Sequence, residues 1–118
     1  MDISKKLQIP QGKSIFVKDA PKGLELGVDI SKNSDNTAVL IFATNSTALA
    51  SNCKSAVDAA KEDRLSWIAY PKAGQLETDL SREKLVLFTR PYGIEPVRQI
   101  SLDDVWSAMR FRPSRSKK

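Results

Sequence analysis

Residues 38–43, Ala38-Val39-Leu40-Ile41-Phe42-Ala43, form the longest strongly apolar run in the chain, and no other feature restricts the fold as much. Read with the threonines that flank it over 37–44, the run is rich in β-branched and aromatic residues and offers no polar face between them. A strand of that kind has to be covered on both sides, as in the parallel sheets of α/β proteins. A helix can start at Asn45 or Ser46, because both side chains accept hydrogen bonds from the exposed backbone N–H groups of a first turn. Leu49, Cys53, Ala56, Val57 and Ala60 then fall on one helical face, with Lys54, Asp58, Lys61 and Glu62 largely outside it. Residues 65–70 read as the next strand, so that strand, helix and strand make a βαβ unit whose crossover is right-handed.

On the N-terminal side, residues 14–18 with Ile15, Phe16 and Val17 read as a short strand that ends at Asp19-Ala20-Pro21-Lys22-Gly23. Leu24, Leu26, Val28 and Ile30 alternate with Glu25, Gly27 and Asp29, the period of a strand with one buried face. Five turn residues between these two strands suit a hairpin better than a parallel crossover, which leaves their order open. Beyond the βαβ unit, a second helix starts near Ser81 and runs through Leu85 and Phe88, and Pro91 ends or distorts it before Gly93. Residues 95–100 and 105–111 follow as two strands joined by Ser101-Leu102-Asp103-Asp104, a connection short enough to make them antiparallel neighbours.

At 118 residues the chain is one domain that can bury a core without disulfides or metals. It contains no histidine, which removes the usual general base near neutral pH, the imidazole metal ligand and every Ser-His-Asp or Cys-His mechanism. A single cysteine, Cys53, forms no internal disulfide and no Cys-x-x-Cys motif, and it falls on the apolar helical face, where a thiol acts as a small hydrophobe. The apolar run at 38–43 is far shorter than the about 20 residues of a membrane span. We therefore expect a soluble cytoplasmic protein with no membrane partner. Of the net charge of +5, five basic residues (Arg110, Arg112, Arg115, Lys117 and Lys118) sit in the last nine positions without an acid, so the rest of the chain is neutral. A basic tail can hold phosphate backbones, and more often it is a solvated terminus.

Three motifs carry a resemblance: Trp67-Ile68-Ala69-Tyr70-Pro71-Lys72, Thr78-Asp79-Leu80 and Asp104-Val105-Trp106-Ser107-Ala108-Met109-Arg110-Phe111. On them the chain resembles the bacterial family catalogued as domain of unknown function 3052, over about residues 14–112. The family is itself uncharacterised, so the resemblance implies a fold and a bacterial origin and no reaction. The order of elements is also similar to the C-terminal half of a class I methyltransferase, a Rossmann-like fragment. The glycine-rich loop that holds the cofactor in those enzymes is missing, because glycines 12, 23, 27, 74 and 93 never form G-x-G.

The fold expected from all this is α/β: a small mixed sheet with a βαβ unit, two main helices and a C-terminal antiparallel hairpin. Residues 1–13 are expected as a flexible, extended arm, 14–112 as the single domain and 113–118 as a disordered basic tail. If the strands at 37–44 and 65–70 are parallel neighbours, Asn45, Ser46 and Lys72 emerge at one carboxyl edge of the sheet, where helix N–H groups and an ammonium can hold a phosphate or carboxylate. Otherwise Asn45 and Ser46 only cap the helix and Lys72 is solvated. Thr78, Asp79 and Arg82 lie just before or inside the second helix, where Asp79 can pair with Arg82 or orient Lys72. Catalysis by a Lys-Asp pair would need a lysine pKa depressed by burial, and a structural ion pair is the plainer reading. Tyr70 can expose its hydroxyl at the strand end, whereas Trp67 belongs to the core. Trp106 shares a strand face with Arg110, which makes either an exposed aromatic-guanidinium patch or a tryptophan closing the core. The acidic clusters Asp103-Asp104 and Glu77 to Asp79 read as turn residues. A non-catalytic binding or interaction domain for an anionic small ligand or a protein partner ranks first, with no cofactor and no metal. Nucleic-acid association through Arg110, Arg112, Arg115, Lys117 and Lys118 ranks second, and a degenerate methyltransferase-like enzyme third.

Overall fold

In the computed structural model, residues 3–9, 13–21, 29–32, 37–72, 74–76 and 78–114 are described. The apolar run forms strand β3 (Ala38–Phe42), and the next strand, β4 (Ser66–Pro71), is buried at every position. They pair in parallel with Leu40 opposite Trp67 and Ile41 opposite Ile68. Helices α2 (Ser46–Asn52) and α3 (Lys54–Lys61) connect them, which makes the expected βαβ unit. Strands β1 (Ile15–Lys18) and β2 (Ile30–Ser31) extend the sheet on one side, and the hairpin β5 (Ile94–Ser101) and β6 (Trp106–Pro113) extends it on the other. The sheet order is β2-β1-β3-β4-β6-β5, with β6 antiparallel to both β4 and β5 and the three remaining neighbour pairs parallel. The protein is a mixed α/β domain, six strands with helices packed against them.

Side chains alternate across β3 and β4 and build two cores. On one face Val39, Ile41, Ile68, Tyr70, Met109 and Phe111 pack with Leu49, Cys53, Ala56, Val57 and Ala60 from α2 and α3 and with Leu85 from helix α4 (Arg82–Thr89). On the other, Leu40, Phe42, Trp67, Ala69, Trp106 and Ala108 pack with Ile15, Leu7 and Ile9. The second face explains a departure from the sequence reading. The expected extended arm instead contains a helical turn, α1 (Ile3–Lys6), followed by Leu7 with no exposed surface. Burying Leu7 and Ile9 contributes roughly 4 kcal/mol, and the same segment takes Trp67 out of water. The indole Nε1 donates to the Leu7 carbonyl at 2.9 Å, so the buried N–H is satisfied.

Two further points are decided by the fold. β1 and β2, whose order the sequence leaves open, pair in parallel with Ile15 opposite Ile30, and β2 begins only at Ile30, which leaves the chain from Lys18 onward long enough to return. The alternating segment at 24–28 lies outside the described residues. The helix after β3 is two helices that divide at Cys53, which stays in the right-handed region at φ −77° and ψ −13°. All five of its apolar face residues remain buried, so the break leaves the packing face intact.

The second helix and the hairpin follow their local signals. The Ser81 side chain caps α4 by accepting from Lys84 N at 3.2 Å. Pro91 sits inside a 3-10 turn, Arg90–Tyr92, and Gly93 takes a left-handed φ of 81° that turns the chain into β5. At the hairpin tip the Asp103 carboxylate accepts from the N–H groups of Val105 and Trp106, each at 2.8 Å, which fixes the start of β6.

Candidate functional site

The parallel pairing of β3 and β4 brings the Asn45-Ser46 turn and Pro71-Lys72 to one edge of the sheet, as the sequence implies. Of the two readings of that edge, the helix cap is the one the geometry matches, completed by the Asp79 carboxylate. Asn45 Oδ1 accepts from Ala48 N at 2.8 Å, an ordinary N-cap. Ser46 donates to Asp79 twice, from its backbone N–H at 2.8 Å and from Oγ at 2.6 Å. The chain's own carboxylate therefore takes the place expected for an anion at the start of α2. Those bonds, first the Ser46 hydroxyl and then its N–H, hold the Asp79 carboxyl below its ordinary range. Thr78 Oγ1 accepts from Leu80 N at 3.0 Å and shapes the loop that delivers Asp79. Among the described residues Asp79 forms no ion pair with Arg82 or with Lys72. Arg82 is exposed at the first position of α4.

Tyr70 does not present its hydroxyl at the strand end. It is 4% exposed, its oxygen accepts from Gln99 Nε2 at 3.0 Å, and burial pushes its phenol up. The ring lies on the helix-covered face, where an inner strand has no free surface to offer.

Lys72 turns toward the hairpin. Its backbone N–H is bonded to the Val105 carbonyl at 2.7 Å as β4 ends, and its Nζ donates to Ser101 Oγ at 2.8 Å. Lys6 Nζ reaches the same residue from α1, donating to the Ser101 carbonyl at 2.8 Å. The two ammonium groups thus bond the same serine from different sides, Lys6 at its carbonyl and Lys72 at its side chain, which alternates with Ile100 and lies on the face of Tyr70 and Gln99. The α1 segment is held there by Leu7 under Trp67 and by Gln8, whose side-chain oxygen accepts from Arg110 Nη1 at 3.0 Å. Gln8 itself is left-handed at φ 63°, a conformation that costs a non-glycine residue about 1–2 kcal/mol.

Between α1 and β5 runs a groove of about 490 Å³ lined by Lys5, Lys6, Gln8, Arg98, Ile100 and Ser101. Arg98 and Arg110 are direct cross-strand partners, so two guanidinium groups share one side of the sheet where an opposite pair would be more stable. Arg110 Nε is buried without a hydrogen-bond partner. Among the described residues none of Lys5, Lys6, Lys72, Arg98 and Arg110 is in an ion pair. Sequence reasoning missed Lys5, Lys6, Gln8 and Arg98. The signal that was available is the step from Lys5-Lys6 to the alternating Leu7 and Ile9, which marks a segment with one buried and one basic side.

The second expected patch is divided. Trp106 is 6% exposed and packs edge-on against Phe42, with ring centroids 5.0 Å apart, so it closes the core. Arg112 makes two bonds to Asp63, at 3.0 and 3.1 Å, and these, with the further charge of Arg110, hold the Asp63 carboxyl below its ordinary range. Arg115, Lys117 and Lys118 lie outside the described residues. Among the described residues no helix is long and apolar enough to cross a membrane, and no three His, Cys, Asp or Glu side chains are placed to hold a metal ion.

No family model and no curated protein matches the chain. The site has to be read from its own chemistry.

Proposed function

We propose that this domain is a binding module for a small anionic ligand, held in the groove between α1 and β5. The observation that carries the reading is that Lys5, Lys6 and Arg98 line one groove without an ion-pair partner among the described residues, with Arg110 opposite Arg98 on the same face. Uncompensated cations on one face raise the local concentration of anions. The groove volume lies within the range of small-molecule sites. Its lining offers hydrogen-bond donors and one aliphatic side chain and no carboxylate, which supports binding over turnover. Of the residues singled out in the sequence, Arg110 borders this groove as the cross-strand partner of Arg98, and Lys72 does not line it. Asn45, Ser46 and Asp79 serve the helix cap.

The test is an amide NMR titration at low ionic strength with inorganic phosphate, pyrophosphate and citrate. Shifts centred on residues 5–8 and 98–101, weakened in Lys6→Gln, are expected. Shifts centred on Asn45 and Ser46, or none at the groove with any of the three anions, overturn the reading.

A further inference from the structure

We propose that the anion of this groove works as a latch: it binds only while residues 3–9 lie docked on the sheet, and in binding it holds that segment over Trp67. The proposal rests on the anion-binding reading above and adds the regulation of that site. The groove has two walls from distant parts of the chain. Lys5, Lys6 and Gln8 come from α1 and the turn after it, whereas Arg98, Ile100 and Ser101 come from β5. With the segment undocked only the β5 wall remains, and a ligand that touches both walls loses half of its site.

Docking is driven by burial and opposed by charge. Leu7 has no exposed surface, Ile9 is buried beside it, and the Trp67 indole donates to the Leu7 carbonyl at 2.9 Å. Lys6 Nζ donates to the Ser101 carbonyl at 2.8 Å, and Arg110 Nη1 donates to the Gln8 side chain at 3.0 Å. Against these contacts, docking carries the ammonium groups of Lys5 and Lys6 to the face that already holds Arg98 and Arg110. None of the four is in an ion pair among the described residues. Like charges on one face repel, and an anion between the walls replaces that repulsion with attraction to both. Gln8 adds backbone strain at φ 63°. The segment is a terminal piece held by two apolar side chains and a few hydrogen bonds, the kind of element that opens locally while the rest of a domain stays folded. Linkage makes the effect reciprocal: the factor by which docking raises anion affinity is the factor by which the anion favours docking.

Hydrogen exchange followed by NMR tests this on the full chain at low ionic strength, with the tightest-binding of phosphate, pyrophosphate and citrate as the probe. The reporters are the Gln8 amide, bonded to the Lys5 carbonyl within the segment, and the Trp67 indole N–H, bonded to the Leu7 carbonyl. At ten times its Kd the probe is expected to slow exchange at both about tenfold, the factor by which a ligand that binds only the docked form lowers the open population. Without the probe, exchange at both should depend little on urea, as befits an opening confined to the segment, whereas the buried amides of Leu40 and Ile41 should depend on it steeply. Arg98→Gln, at an exposed position outside the segment, should slow exchange at the two reporters in the absence of the probe, because a repelling charge is gone. Exchange no slower than in the parent overturns the latch. So does a urea dependence at the reporters as steep as that of β3, or equal slowing by sodium chloride at matched ionic strength. Probe binding with exchange unchanged at both reporters also overturns the latch and leaves the anion site standing on β5 and β6 alone. Binding of none of the three anions overturns both readings.

Discussion

Asp79 accepts two hydrogen bonds from Ser46, at 2.8 Å from the backbone N–H and 2.6 Å from the hydroxyl, and so closes the positive end of α2 with a carboxylate supplied from beyond β4. The bond ties the loop before α4 to the helix after β3, two segments that local sequence signals do not connect. It also means that an anion arriving at this edge would meet a negative charge. Cations without an ion-pair partner among the described residues line the groove between α1 and β5 instead, at Lys5, Lys6 and Arg98.

The Asp79 bond should make stability depend on acid. A carboxylate held below its ordinary value contributes stability that is fully present above the unfolded pKa and is lost as pH falls through the folded one. Asp79→Asn is expected to be less stable than the parent at pH 6, with the gap closing as the pH drops below about 4, near the ordinary carboxylate pKa. Urea unfolding of both proteins across that window checks it. A gap that is the same at both ends would mean that the charge of Asp79 contributes nothing.

Trp67→Phe should loosen the N-terminal segment. The substitution removes the donor for the Leu7 carbonyl and leaves a void in a fully buried position. A loss of about 2–4 kcal/mol is expected from the two together. Hydrogen exchange should speed up first at residues 5–9, and an unchanged exchange pattern there would show that the segment is held by other contacts.

Gly93→Ala isolates a backbone effect. A Cβ at this position meets nothing within 4 Å, so the cost is that of holding a non-glycine residue at φ 81°. The penalty is about 1 kcal/mol once the reduced freedom of the unfolded chain is credited. Thermal melts of the two proteins measure it, and a stabilised variant would contradict the left-handed turn.

Cys53 should react slowly in the native state. It is 4% exposed, and burial raises its thiol above the ordinary 9.0. Labelling with a disulfide reagent at pH 8 should be far slower than for free cysteine and should accelerate in urea as the helices open. Rapid labelling of the folded protein would show that the junction of α2 and α3 opens without global unfolding.

Much of the architecture was legible in the residues. The apolar run at 38–43, the five apolar positions from Leu49 to Ala60 and the proline after Tyr70 dictate a buried strand, a covering helix and a second buried strand, because burial on two faces and burial on one face leave different periods in a sequence. The Ser81 cap, Pro91 and Gly93 bound the later helix for equally local reasons, and the short Ser101-Leu102-Asp103-Asp104 link forces an antiparallel pair. These features rest on contacts between near neighbours in the chain. Others depend on which distant segment arrives. The N-terminal residues look unstructured alone, since Leu7 and Ile9 have nothing to bury against until β3, β4 and β6 assemble the face that holds Trp67. The same assembly decides the chemistry of the surface. Asp79 finds Ser46, Arg112 finds Asp63, and Lys5, Lys6, Arg98 and Arg110 are brought to one face from three separate elements. Charge is written in the sequence, but whether a charge is answered or left open is decided by tertiary geometry, because electrostatic attraction and hydrogen bonding act only over the few ångströms that folding sets.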